Sequence, residues 1–193
     1  MKNKISCILG EYYKNRVKII ILSKKSYEVR LDANENYIKN IIIKKYESNV
    51  LVLENIKEGN KYEIKFINIK NNKLIENIKI NLEENPFNNV KIVNCDSNFG
   101  IETNTWNLIK DKFGVIFHLG DFLYNDLIFI KHYNNIIKNN IDYKSIKQTI
   151  YEDLYDYYIE CISRKSYYLK NNFNYIMTDD HETVDNNFIK KII

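Results

Sequence analysis

The hydrophobic pattern of this 193-residue chain changes its period once, near residue 86, and that change limits the folds available to it. Before residue 86, apolar and polar side chains alternate along short segments that are separated by Asn, Gly or Ser. Period two, repeated at this spacing, is typical of antiparallel strands. We therefore predict about seven antiparallel strands in residues 1–85, folded as a β-sandwich. The inward-facing sets are Val17, Ile19 and Ile21; Tyr27, Val29 and Leu31; Tyr62, Ile64 and Phe66; and Ile78, Ile80 and Leu82.

A short segment inside this region makes the sandwich prediction more specific. Ile56 is followed by Gly59, and Gly59 by Tyr62, each three residues on. This spacing resembles the turn and tyrosine corner of fibronectin type III and immunoglobulin-like domains. A plain glycine turn between two strands is the alternative interpretation.

The chain has one proline, Pro86, and it stands between the last alternating segment and a new apolar run. Proline cannot donate a hydrogen bond to a β-ladder, so it ends the strand region. We predict a domain boundary near residues 84–90, with an immunoglobulin-like β-sandwich in residues 1–86 and a partial α/β domain in residues 87–193.

The second region contains three short apolar runs, NVKIVNC, FGVIFHLGD and FNYIM. The segment TNTWNLIKDK between the first two is typical of a helix, and residues 125–170 read as a longer helical region with a break near 139–142. Strand, helix, strand, helix, strand is the α/β pattern. In such sheets ligands bind at the carboxyl ends of the strands.

Side chains that bind metals follow all three apolar runs. Cys95 and Asp96 follow the first; Asp121, Tyr124 and Asp126 follow the second; and the residues 179–182, Asp-Asp-His-Glu, follow the third. Carboxylates, a thiol, a phenol and an imidazole form a mixed ligand set for hard or borderline cations. So many acidic groups would repel one another without a cation, and the sequence therefore predicts a metal site.

Each of these residues also has an ordinary structural interpretation. Cys95 alone suits a small buried side chain, and Asp121 suits the cap of the following helix. His118 lies within the second run and is expected to be a packing residue or a support for the site. His132 lies in a segment rich in Lys and Asn, and we expect it to be exposed to solvent.

Taken together, the three motifs resemble those of one family. HLGDFLY, residues 118–124, resembles the Gly-Asp-x-x-Tyr motif of the calcineurin-like metallophosphoesterase superfamily. TDDHE, residues 178–182, and VNCDS, residues 93–97, look like the corresponding motifs of PhoD-like alkaline phosphatases. An immunoglobulin-like domain before the catalytic domain also matches that family. The resemblance implies a β-sandwich followed by an α/β metallophosphoesterase-like partial domain.

The resemblance also implies a role for each residue. Asp121 would bridge two metal ions, Tyr124 and Cys95 would ligate iron, and Asp180 would ligate the second metal, calcium. His181 would contact the phosphoryl group as a catalytic residue. The implied activity is the metal-dependent hydrolysis of a phosphate-ester substrate.

The family supplies further histidines after these motifs, whereas the three histidines of this sequence end at His181. We therefore expect a truncated phosphatase or phosphodiesterase, completed by a C-terminal half or by a second chain. Two alternatives remain: a catalytically inactive remnant, and an interaction module that binds through its sandwich.

Charge, cysteine content and apolar runs limit the classes of partner and the cellular location that we expect. A net charge of +4 without a dense basic stripe argues against nucleic acid as a partner. Three widely spaced cysteines give neither a disulfide framework nor a Cys-x-x-Cys zinc site. The apolar run at the N-terminus is too short for a signal-peptide core, and no run approaches a membrane span. We expect an intracellular location by default.

Overall fold

The computed structural model describes residues 5–34, 36–94, 113–120 and 122–177. These ranges contain ten strands, three α-helices and one short 3-10 turn at Pro86–Asn88. The segment TNTWNLIKDK, for which a helix is predicted, lies outside them. The strands are β1 (Ser6–Tyr13), β2 (Arg16–Leu22), β3 (Tyr27–Ala33), β4 (Asn36–Ile43), β5 (Asn49–Leu53), β6 (Lys61–Asn68), β7 (Lys73–Asn81), β8 (Val90–Asn94), β9 (Val115–Leu119) and β10 (Phe173–Met177). The helices are α1 (Asp126–Asn139), α2 (Tyr143–Arg164) and α3 (Ser166–Lys170).

The first seven strands form two antiparallel sheets that share one core. One sheet has the order β1-β2-β5 and the other the order β4-β3-β6-β7. The alternating pattern explains the layers, because residues two apart point to the same face of a strand. Ten of the twelve inward positions predicted from the pattern are buried, and Tyr27 and Tyr62 are partly buried against the same core. Burial of each large aliphatic side chain contributes about 1.5–3 kcal/mol, so the pattern accounts for a sandwich-like domain.

The turn before β6 has the geometry expected from its sequence. Gly59 adopts φ +79°, which L side chains rarely occupy. The hydroxyl of Tyr62 accepts a hydrogen bond from the backbone N–H of Lys57 at 2.9 Å. Ile56 is buried in the core beside the turn. The tyrosine therefore ties its own strand back to the preceding loop, as a tyrosine corner does.

The last three strands form a separate parallel sheet with the order β10-β9-β8. Its strands were predicted from the three apolar runs, and they pair in parallel from Val90, Val115 and Phe173 onward. In the described part of the chain β8 is an edge strand, and the side chains of Val90 and Ile92 on it are exposed. The long helical region is interrupted as expected, since Asn140 ends α1 in the left-handed conformation and Asp142 caps α2 by accepting from the N–H of Lys144.

The parallel sheet and the helices pack directly on the sandwich. Val115 and Phe173 belong to the same hydrophobic cluster as the sandwich core. Helix α2 packs against β1 and β2 through a second cluster that includes Ile8, Leu22 and Ile159. Core residues therefore run continuously across residue 86, and the boundary at that position remains a prediction from sequence.

The interface between α1 and α2 corrects one expectation. His132, predicted to be exposed, is 6% exposed, and its Nε2 lies 2.9 Å from Oδ2 of Asp153 on α2. Lys131 donates to the same carboxylate oxygen at 2.8 Å. The prediction was wrong because sequence composition around His132 says nothing about which face of α1 meets α2. In the described ranges, α1, α2 and α3 all lack a stretch with the length and hydropathy of a membrane span.

Candidate functional site

The carboxyl ends of the three parallel strands lie side by side at one edge of the sheet. Asn94, the last residue of β8, pairs with Leu119, the last residue of β9. Met177, the last residue of β10, pairs with the same Leu119 from the other side. Neighbouring strands in a sheet are about 4.8 Å apart. The chain therefore leaves the sheet at three adjacent points, each within or directly before one of the sequence motifs.

Most of the side chains predicted for the site lie outside the described residues. Cys95, Asp121, Asp180 and His181 belong to this group, so their convergence remains a prediction. Tyr124 is described, and it lies half-buried in the loop between β9 and α1. Among the residues that the structure describes, no three His, Cys, Asp or Glu side chains are grouped as a metal site.

The loop between β9 and α1 begins and ends in defined backbone geometry. Gly120 turns the chain out of β9 with φ +85°, a left-handed value that favours glycine. Helix α1 begins at Asp126 with Asn125 as its N-cap residue. The alternative interpretation of Asp121 as a helix cap falls on a residue outside the described ranges and stays a prediction. Asp126 lies in the first turn, where a carboxylate is stabilised by the helix dipole.

Helix α2 holds this loop through three side chains on one of its faces. The hydroxyl of Tyr157 accepts a hydrogen bond from the backbone N–H of Tyr124 at 3.3 Å. The Tyr158 hydroxyl accepts one from Nδ2 of Asn125. At the end of α2, Nζ of Lys165 lies 3.4 Å from the carbonyl oxygen of Phe122 and 4.6 Å from the centroid of its ring. The loop that follows residue 121 is thus held against a helix that itself packs on the sandwich.

His118 supports the same loop from within the sheet. Its side chain is fully buried, and its ring meets Phe122 edge to face with centroids 5.0 Å apart. Its Nε2 lies 3.0 Å from Oδ1 of Asn174 on β10. These contacts agree with the expectation of a packing residue, and they connect strands β9 and β10.

Sequence reasoning missed the supporting residues on α2. Tyr157, Tyr158 and Lys165 lie in the segment YDYYIECISRK, which contains a cluster of tyrosines in a chain with 16 of them. Spacings of seven and eight residues place Tyr157 and Tyr158 on the same helix face as Lys165. That spacing was the available signal, but it does not say which loop the face would meet.

Comparisons with known proteins were made for the sequence and for the fold. No protein-family model matches the chain, and no curated protein matches it. Among solved structures, a structure of PhoD is similar to this chain, with a TM-score of 0.58 at 12% sequence identity. The similarity covers 96% of this chain and 40% of that structure. At this identity the likeness concerns the fold, and this chain has the fold of about two fifths of the PhoD structure.

Proposed function

We propose that this chain is a metal-dependent phosphoester hydrolase of PhoD-like type, or a part of one, acting on a phosphate-ester substrate. The observation that carries the proposal is the alignment of Asn94, Leu119 and Met177 at one sheet edge. Asn94 and Leu119 lie within sequences that resemble PhoD-like motifs, and Met177 directly precedes a third. The similarity in fold to a PhoD structure over 96% of the chain supports the same assignment.

The sandwich supports the proposal independently of the motifs. We assign it to the immunoglobulin and fibronectin type III architecture, because its two sheets have the orders β1-β2-β5 and β4-β3-β6-β7. In this arrangement the chain crosses between the sheets after β2, β4 and β5, which is Greek-key connectivity. The contact between Tyr62 and Lys57 belongs to the same architecture.

In this proposal Cys95, Asp121, Tyr124 and Asp180 hold the metal ions, iron and calcium by resemblance to the family. A thiolate and a phenolate suit a highly charged borderline cation, and carboxylates suit a hard one. The described part of the site fits this donor set at Tyr124, which lies half-buried in a loop that α2 holds in place. Bound metal would lower the pKa of a bound water and neutralise phosphate oxygens. His181 would contact the phosphoryl group.

The proposal is tested directly by measuring whether Tyr124 binds iron. Iron(III) bound by a phenolate absorbs visible light through charge transfer from ligand to metal. We expect a visible band in the iron-loaded protein, loss of its phenolate part in Tyr124→Phe with only absorption from the Cys95 thiolate left, and loss of bound metal in Asp121→Ala. Tyr143→Phe, at an exposed tyrosine on α2, is the matched control and should keep the band. A band of equal intensity in Tyr124→Phe would remove Tyr124 from the ligand set.

A further inference from the structure

A pocket of about 390 Å³ lies where the β1–β2 hairpin meets β10 and the turn at Glu58. Its volume falls within the range of small-molecule sites. Four aromatic rings and two carboxylates supply most of its lining, and none of them belongs to the proposed metal ligands. The rings are Tyr12, Tyr13, Phe87 and Tyr175, and the carboxylates are Glu11 and Glu58.

The floor of the pocket is built before any ligand arrives. The ring of Tyr12 stacks on Phe173 with centroids 5.2 Å apart, and the ring of Tyr175 stacks on Phe117 at the same separation. The hydroxyl of Tyr175 donates to the carbonyl oxygen of Tyr12 at 3.3 Å. Because both rings are held by the core, binding to them costs little side-chain entropy.

The rim, in contrast, presents aromatic surface to solvent. Tyr13 is 58% exposed and Phe87 is 48% exposed. They lie on separate segments, the β1–β2 hairpin and the 3-10 turn after the sandwich. Two exposed rings and two fixed rings thus line one pocket.

The charged side chains that line the pocket are Glu11, Glu58 and Lys14. Glu58 is exposed and takes part in no ion pair of the described part of the chain, whereas Glu11 pairs with Lys18 at 2.6 Å. Burial raises the pKa of Tyr12, and the negative charge of Glu58 raises it further. The carboxylate of Glu58 therefore acts electrostatically on the floor of the pocket.

One ring of the pocket already carries a cation from the protein itself. Nζ of Lys14 lies 5.0 Å from the centroid of the Tyr13 ring. Lys14 and Asn15 have φ 48° and 60°, the left-handed values of a tight two-residue hairpin turn. The hairpin thus holds Lys14 at the rim, where it occupies a π face that an incoming cation would otherwise use.

We infer that this pocket binds a small organic cation of the quaternary ammonium class. Such a group has an apolar shell for the rings and a diffuse charge for the π faces and for Glu58. The described residues that line the pocket include none of the proposed metal ligands, and occupancy of the pocket does not depend on phosphoester hydrolysis.

Binding is measured by titrating the ¹⁵N-labelled chain with tetramethylammonium and following the amides of Tyr13 to Arg16 by NMR. We expect saturable shifts in the millimolar range, and binding of the neutral isostere tert-butanol weaker by about five-fold or more. Titrations with free choline and with phosphatidylcholine vesicles compare binding to the two sources of this head group. Equal affinity for tetramethylammonium and tert-butanol, or no saturable shift, would overturn the inference.

Three variants make the test independent of folding defects. Phe87→Leu keeps an apolar side chain without a π face, and Glu58→Gln removes the charge; each should weaken binding by about three-fold. Lys14→Asn suits the left-handed turn and removes the competing cation, so it should tighten binding by about two-fold. Tyr37→Leu and Glu28→Gln, at exposed positions that do not line the pocket, are the controls. Weaker binding of tetramethylammonium in Lys14→Asn would contradict the inference, because it would show that Lys14 does not compete for the Tyr13 ring.

Discussion

Asn174 on β10 accepts a hydrogen bond from the imidazole of His118 on β9. The amide nitrogen of Asn174 lies 2.6–2.8 Å from the carbonyl oxygens of Leu9, Leu169 and Asn172, so it acts as the donor. Its Oδ1 is then the acceptor that faces Nε2 of His118 at 3.0 Å. Nε2 of His118 must therefore carry the proton. One amide thus joins strands β1, β9 and β10 beneath the candidate site.

Asn174→Leu should destabilise the protein strongly. The substitution leaves three carbonyl oxygens and the imidazole N–H of His118 without this partner in a buried position. Each buried polar group that loses its partner costs about 1–3 kcal/mol, so we expect a loss of at least about 3 kcal/mol. Urea denaturation followed by circular dichroism measures it. Asn135→Ala, at an exposed site on α1, should change the free energy of unfolding by less than about 0.5 kcal/mol, and an equally small effect of Asn174→Leu would disprove the assignment.

Tyr157→Phe should loosen the loop that carries Tyr124. The lost hydroxyl accepts the backbone N–H of Tyr124, and one such bond contributes about 0.5–1.5 kcal/mol. Hydrogen exchange at the Tyr124 amide should become about three- to ten-fold faster, with little change in global stability. The exchange rate of the Tyr124 amide is measured by NMR in Tyr157→Phe, in wild type and in the control Tyr143→Phe. Unchanged exchange in Tyr157→Phe would mean that α2 does not hold this loop.

The thiols of Cys7 and Cys161 should react slowly in the folded protein. Burial raises the pKa of both thiols, and the charge of Glu76 raises that of Cys7 further. The thiolate is the reactive form, so little is present near pH 8. In a Cys95→Ser variant, we expect labelling by a disulfide reagent at least about ten-fold slower than that of a free cysteine. In urea, two equivalents of thiol per chain should react. Rapid labelling of either thiol in the folded protein would contradict the burial of Cys7 and Cys161.

The stability difference between wild type and Asp153→Asn should depend on pH. Hydrogen bonds from Lys131 and then from His132 lower the pKa of Asp153. A lowered pKa means that the charged carboxylate contributes stability above its unfolded pKa of about 4, and that this contribution is lost as the pH falls through the folded value. Solvent screening keeps it below about 1 kcal/mol. Denaturation at neutral pH should show wild type as the more stable protein, and at pH 2–3 the free energies of unfolding of the two proteins should converge. A constant difference across this range would show that the charge of Asp153 is not its cause.

Residues 1–193 on their own should hydrolyse p-nitrophenyl phosphate poorly even when loaded with iron and calcium. The four proposed ligands Cys95, Asp121, Tyr124 and Asp180 fill few of the six to eight positions that a calcium-like ion takes. Ions held this loosely position a phosphate badly, and misplacement by about 1 Å costs roughly 100-fold in rate. The comparison is with Asp121→Ala under the same loading. Robust turnover that disappears in Asp121→Ala would show that the four ligands and water are sufficient.

Local chemistry made much of the backbone predictable. The alternation of Val17, Ile19 and Ile21 specifies a strand with one buried face because side chains alternate across a strand. Gly59 marks a turn because φ +79° is open to glycine. Asparagine takes the left-handed positions 15, 34, 55, 72 and 140 in a chain with five glycines, since it tolerates that conformation better than other residues.

What the sequence by itself determined is therefore the change from antiparallel strands to an α/β pattern near residue 86, the buried faces of β2, β3, β6 and β7, and the turn at Gly59, all of which follow from contacts between near neighbours in the chain. Only the tertiary structure decided that His132 is buried against Asp153, that Asn174 reaches Leu9, and that Tyr157 meets the backbone of Tyr124. These pairs lie 21, 165 and 33 residues apart. Their meeting depends on how whole helices and sheets pack, and a local pattern of apolar and polar residues carries no information about which surfaces will face each other.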